Sequence, residues 1–233
     1  MGKETLPLAD KTGIIRALPP ELSDENVLRL KKFGFLMILY DLAQDRFVRP
    51  RLHKANPHKH HELLDSMLSP VTHSRVLDIA CGTGGAIPHF DTSNEYTGLD
   101  LSYSMLRQAV KKAKKKSFRR SRFIQGNAED LLLADESFDF VLMDTALHMI
   151  PKYQPAIAEI SRVLIRGGVF VCSTPVVGIS GEFDSTWKKI SHKRNLHSFT
   201  EGDIKQVCSQ NGLTYSRHDT NGGVLYFHAW KTD

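Results

Sequence analysis

Cysteine is scarce in this chain: three residues in 233, Cys81, Cys172 and Cys208, odd in number, far apart and never in a CxxC pair. That pattern argues against a disulfide framework and a cysteine zinc site, and it fits a reducing cytoplasm. Long apolar runs are missing too. The longest, residues 35–40 (FLMILY), is far too short to cross a bilayer. The opening MGKETLPLAD lacks the apolar centre of a secretory signal. No internal repeat is visible.

What remains is ordinary for a globular protein, with 41% hydrophobic and 24% charged residues. The charge is unevenly spread. Residues 111–122, KKAKKKSFRRSR, hold eight Lys or Arg and no acid, against a whole-chain net charge of +5, which leaves the other 221 residues at −3. The protein as a whole is therefore not basic.

Residues 1–22, with prolines at 7, 19 and 20, read as a loose arm. Residues 24–48 read as a helix with Ser23 as its N-cap, and 58–68 as a second helix ended by Pro70. From residue 75 short apolar strands (75–80, 95–100, 122–126, 138–144, 169–174) alternate with amphipathic helices (103–116, 152–165, 200–211). This rhythm indicates βαβ units and a parallel sheet. Two last strands, 214–219 and 224–230, flank Thr220-Asn221-Gly222-Gly223, a hairpin signal.

The stretch VLDIACGTGG (76–85) is a strand running into a glycine turn at the ligand-binding edge of such a sheet. Gly82 and Gly84 begin a dinucleotide fingerprint, but Ile87 stands where its third glycine is needed. No Lys or Arg lies between Val76 and Phe90, so a P-loop is excluded as well. Asp78 would repel a phosphate. It suits a cationic ligand without phosphate, such as S-adenosylmethionine, whose ammonium it could bind. Asp100, 22 residues on, is placed to take the two ribose hydroxyls.

With these residues the chain resembles the class I S-adenosylmethionine-dependent methyltransferases, in the small-molecule or quinone-type branch, from about residue 74 to 174. The resemblance implies a Rossmann-like, mostly parallel seven-stranded sheet in the order 3-2-1-4-5-7-6, with a terminal antiparallel hairpin and an N-terminal helical cap (1–70) on a core of 71–233. VLDIACGTGG resembles the first motif, with Ala80 where glycine is more usual and Cys81, Gly82 and Gly84 in the turn. LDLSYSML (99–106) resembles the second, with Asp100 on the ribose, Leu101 beside it and Met105 near the adenine. In FIQGNAEDLLLADESFDFVLMDTALHMI (123–150) the resemblance implies that Asn127, Ala128 and Glu129 meet the adenine end. Asp144 and Thr145 line the loop beside the methyl group. RVLIRGGVFV (162–171) resembles the family's LKPGG passage, with Arg166 for proline.

The implied chemistry is transfer of a methyl group to a small molecule, leaving S-adenosylhomocysteine, with no metal. His148 is the candidate general base, against a packing role over the cofactor. Residues 175–199 form a lid insert with Phe183 and Trp187 as apolar wall, and Tyr40 either closes over the cofactor or sits in the core. The histidine-rich HKANPHKHH (53–61) reads as a solvated connection rather than a metal site. The basic run 111–122 reads as a helix end facing away from the cofactor, or as a peripheral anionic docking patch. Nucleic-acid methylation is the rival activity, but Asp144-Thr145-Ala146-Leu147 replaces its [DN]PP[YF] signature and no Pro-Cys nucleophile occurs. A non-catalytic binder on the same fold is the second rival.

Overall fold

The computed structural model describes residues 6–19, 22–27, 44–118 and 120–232. A sheet of nine strands forms its centre. Seven of them follow the expected order. They are β2 (Arg75–Ile79), β3 (Glu95–Asp100), β4 (Arg120–Gln125), β5 (Phe138–Asp144), β6 (Leu164–Val177), β8 (Leu213–Asn221) and β9 (Val224–Lys231), running β4-β3-β2-β5-β6-β9-β8 across the sheet. β2 to β6 are parallel, and β9 runs antiparallel to both β6 and β8, with Gly222 and Gly223 as the two-residue turn of the β8–β9 hairpin. Two short strands lie outside the expected set. β1 (Ile14–Arg16) pairs with the free edge of β4, and β7 (Phe199–Thr200) pairs with the end of β6. The arm read as loose is therefore ordered at Ile14, whose side chain is fully buried.

Helices cover both faces of the sheet. α1 (Pro57–Leu68) and α2 (Tyr103–Lys116) pack on one, α3 (Tyr153–Val163) and α5 (Glu201–Gln210) on the other. α2 forms because Met105, Leu106, Ala109, Val110 and Ala113 share one face, Ser102 caps its start, and Ser117 turns left-handed at its end. The residues read as a lid contain a further helix, α4 (Gly181–Arg194), which buries Phe183 and Trp187. Of the expected helix over 24–48, residues 24–27 are helical, with Asn26 N–H donating to Ser23 Oγ, and Gln44–Leu52 form a π-helical stretch. Tyr40 lies outside the described residues. Among the described residues no helix is long and apolar enough to cross a membrane.

The histidine-rich segment is not a solvated connection. Asn221 in the hairpin exchanges two amide hydrogen bonds with the backbone of Asn56, both 2.8 Å, and Gly223 N–H donates to the His53 carbonyl. Gly223 also lets the Phe183 ring lie against the turn, since a Cβ there would sit 2.1 Å from that ring. These contacts pull 53–61 onto the sheet, leaving His53 and His60 buried at 3% and 1% exposure.

Candidate active site

After β2 the chain turns sharply through Ala80, Gly82 and Gly84, all with φ between +55° and +80°. Gly84 serves packing rather than the ligand. Its Cβ would lie 2.6 Å from Ile87 and 3.1 Å from the Ala109 backbone of α2. The acid that grips the turn is Asp100. Its Oδ2 accepts from Gly82 N–H at 2.9 Å and its Oδ1 from Ser102 N–H at 2.7 Å. Burial pushes Asp100 up to about 6 even against those two bonds. Asp78, expected to meet the ammonium of the ligand, accepts from the Tyr96 hydroxyl at 2.6 Å. Burial pushes it up to about 8, helped by the negative charges of Asp144 and Asp100. Tyr96 was not foreseen, because a buried tyrosine on the next strand has no sequence signature.

Two cavities meet at this turn. The first is lined by Ala80, Gly82, Asp100, Leu101, Met105, Asn127 and Ala128, as expected for the nucleoside end. Its far wall comes from Met149, Ile150 and Pro151 after β5, with Asn26 from the N-terminal cap. Glu129 is not brought there. Its carboxylate accepts from Lys152 N–H at the start of α3, while its own N–H donates to Asn127 Oδ1.

The second cavity shares Ala80 and Gly82 with the first and contains Asp78, Cys81, Asp144 and Thr145. Its remaining polar lining, including Arg49, His60, His61 and Lys112, was not foreseen. Lys112 belongs to the basic run, so that run does not lie wholly away from the site. Lys112 reaches Thr83 on the glycine turn, whereas Arg120 and Arg122 pair with Glu95 and Thr97 on β3. Asp144 accepts from Ser173 Oγ at 2.5 Å and Thr145 Oγ1 at 2.9 Å, with His60 Nε2 at 3.5 Å and Arg49 at 3.9 Å. Burial alone would raise Asp144, but His60, Arg49 and the Ser173 hydroxyl outweigh it and hold the carboxyl far below the usual range. Thr145 adopts φ +51°, rare for a β-branched residue, and its N–H donates to the Ser173 carbonyl.

His148 lines neither cavity. It is buried in the turn Leu147–Met149, with its ring 6.0 Å from His53 and 5.4 Å from Trp187. Phe183 stacks on Trp187 at 5.3 Å, so both lid aromatics act as the hydrophobic anchor of α4 and face neither cavity. Burial, with Arg49 and His60 adding to it, pushes His53 down to about 3, so this ring is neutral at ordinary pH.

Residues 77–172 match the family described as a methyltransferase domain. That stretch carries a methyltransferase domain. It is 31% identical over 145 residues to a malonyl-[acyl-carrier protein] O-methyltransferase of Hamiltonella defensa, spanning 61% of this chain and 54% of that one. Over 103 residues it is 36% identical to a demethylmenaquinone methyltransferase of Bacillus velezensis, spanning 42% and 44%. The chain thus spans about half the length of the curated relatives it matches. Among solved structures, Haemonchus contortus phosphoethanolamine N-methyltransferase 2 in complex with S-adenosyl-L-methionine shares the fold. That match has a TM-score of 0.70 at 17% identity and covers 92% of this chain and 61% of that one. The matched stretch carries the glycine turn that both cavities share, with Asp100 lining the first of them.

Proposed function

We propose that this chain is an enzyme that methylates a small molecule with S-adenosylmethionine as donor. The observation that carries the reading is the pair of buried acids, Asp78 and Asp100, near the tips of adjacent parallel strands on either side of one turn. The residues fit the donor by charge. A cavity wall without phosphate-binding cations meets the nucleoside end, and a carboxyl strained by burial favours a cationic partner that restores its ionised form. Asp100 would hold the ribose, Asn127 and Ala128 the adenine edge, Met105 its face, and Asp78 the amino end beyond the turn. When bound, the donor supplies an electrophilic methyl group, whose bond to sulfur breaks as the acceptor's electron pair forms the new one. The protein's own share is positioning and the exclusion of water, which can supply about 7–11 kcal/mol of the barrier.

In this reading residues 71–233 are the core, 1–70 the cap, and α4 within 175–199 a cover whose aromatics anchor it. His148 fits a packing role beside Trp187. The lining of the second cavity supports a polar acceptor more than an apolar quinone. A nucleic-acid acceptor gains little, because Lys112, Lys116, Arg120 and Arg122 are engaged within the chain. A cytoplasmic setting agrees with three buried free thiols. Titration calorimetry with S-adenosylhomocysteine tests the reading. One-to-one binding in the micromolar range is expected, and no heat at millimolar ligand would overturn it.

A further inference from the structure

The basic run 111–122 ends at the starts of β3 and β4, the edge of the sheet opposite the glycine turn. The connection from β4 to β5, residues 126–137, contains no helix, so no crossover helix covers those strand starts on the face shared with α3 and α5. Arg75, Arg120 and Arg122 line a groove there with Glu95, Thr97 and Phe138. Arg75 pairs with Asp139 at 2.8 Å and Arg120 with Glu95 at 3.1 Å. Arg122 is engaged only through Nε, which donates to the hydroxyl of buried Thr97 at 2.9 Å, and its guanidinium lies 5.8 Å from the Phe138 ring centre. Glu95 is the one acid lining the groove, and Arg122 forms no ion pair among the described residues. We propose that this groove is a separate ligand site that takes the phosphoryl group of a phosphomonoester, with Arg122 as its principal contact and Arg75 and Arg120 flanking it.

The charge and the donors both favour that ligand. The two ion pairs cancel, which leaves Arg122 as the uncompensated cation of the groove. Loss of solvent holds it below the ordinary arginine value, and Glu95 offsets only part of this, so an arriving anion relieves a cost already present. Thr97 and Phe138 fix the plane of the guanidinium, and both Nη atoms are left for a bidentate contact. A carboxylate has two oxygens, which one such fork satisfies. A phosphoryl group has a third oxygen and a second charge, and the flanking arginines keep N–H groups that Asp139 and Glu95 do not use. Glu95 and Asp100 stand at the two ends of β3, about 16 Å apart at 3.3 Å per residue. A ligand in the groove is therefore not the methyl acceptor, and the site stands whether or not the chain transfers methyl groups.

Titration of the full chain with glycerol 3-phosphate at low salt tests this, followed by NMR of the arginine Nε–H groups with Arg122→Gln to assign the signal. The Arg122 signal should move and saturate at millimolar ligand. A signal that stays in place would overturn the site, and acetate moving it equally would overturn the phosphoryl assignment. In calorimetry Arg122→Gln should weaken glycerol 3-phosphate binding about tenfold or more, the loss of one charge-assisted contact. Lys115→Gln removes the same charge from an exposed position of the run outside the groove, and should change binding less than about twofold. Equal losses would mean a diffuse charge effect and overturn the groove; thermal midpoints confirm that both variants are folded. Sedimentation with phosphatidylcholine vesicles carrying phosphatidic acid separates the sources of the group. Arg122-dependent sedimentation supports the site with a lipid headgroup as its ligand, and glycerol 3-phosphate binding without it supports a soluble ester.

Discussion

Replacing Asp100 with asparagine isolates the acid proposed to hold the ribose of the donor. Each carboxylate oxygen already accepts one backbone N–H, from Gly82 at 2.9 Å and Ser102 at 2.7 Å, and has lone pairs left for the ribose hydroxyls. An amide can replace only one of those oxygens. Its NH₂ then opposes a backbone N–H, an unmet bond that costs the fold about 1–3 kcal/mol. Toward the ligand, one charge-assisted bond is lost and the other becomes neutral. At about 1.5–3 kcal/mol for a charged bond and about 1 for a neutral one, the loss is roughly 2–5 kcal/mol. At about 1.4 kcal/mol per decade, affinity for S-adenosylhomocysteine should fall about 30- to 4,000-fold. Calorimetry at 25 °C measures this, with the thermal midpoint confirming that the variant is folded. A folded Asp100→Asn protein binding within threefold of the wild type would refute the ribose assignment, leaving Asp100 as a turn clamp only.

Asp78 predicts a pH signature. Its folded value near 8 lies above the ordinary 3.8, so between about pH 4 and 8 the folded state keeps a proton that the unfolded chain releases. The contribution of Asp78 to the stability of the ligand-free protein should therefore be greatest at the acid end of that window and fall as pH rises through it, against an opposite contribution from His53 that ends near pH 6.5. Asp78→Asn should flatten the thermal-midpoint profile between pH 5 and 8, and an unchanged slope would contradict the buried, protonated carboxyl. Because the ammonium of S-adenosylhomocysteine favours the ionised form, its binding should release protons, seen as a buffer-dependent enthalpy in calorimetry. Ala80→Gly relieves φ +56° at the cost of a freer unfolded chain, so urea unfolding should show a gain between zero and about 1 kcal/mol. Trp187→Ala opens a cavity under α4 where the indole is 1% exposed, and should cost about 3–5 kcal/mol in the same assay. A loss below 1 kcal/mol would mean that α4 is not anchored there.

The core strands were legible because parallel strands buried on both faces appear as short apolar runs, and α2 because its apolar residues recur on one face. The elements that escaped are those whose pairing is non-local or whose pattern is thin. β1 is three residues long and exists because Ile14 pairs with Phe123, more than a hundred positions away. α4 offers only Phe183 and Trp187 as large buried anchors in fourteen residues, too few to set a period. The loose arm and the solvated histidine segment were misread for the same reason. Local composition favoured solvent, and distant backbone bonds, from β4 in one case and from Asn221 in the other, decided otherwise.

The site divides along the same line. The proposed nucleoside end is built from residues that follow one strand or one turn, so spacing could find Asp78, Gly82 and Asp100, and the family resemblance added Asn127. The second cavity draws Arg49 from the π-helical stretch, His60 from α1, Lys112 from α2 and Asp144 from β5, joined by no fixed interval. A donor shared by many enzymes demands one geometry and leaves a motif, while an acceptor peculiar to one enzyme can be met by any residues the fold brings near. His148 and His60 show the consequence. The first sits at the position a motif marks and lies packed against tryptophan, and the second, inside an unremarked histidine run, lies 3.5 Å from the carboxylate at the end of β5.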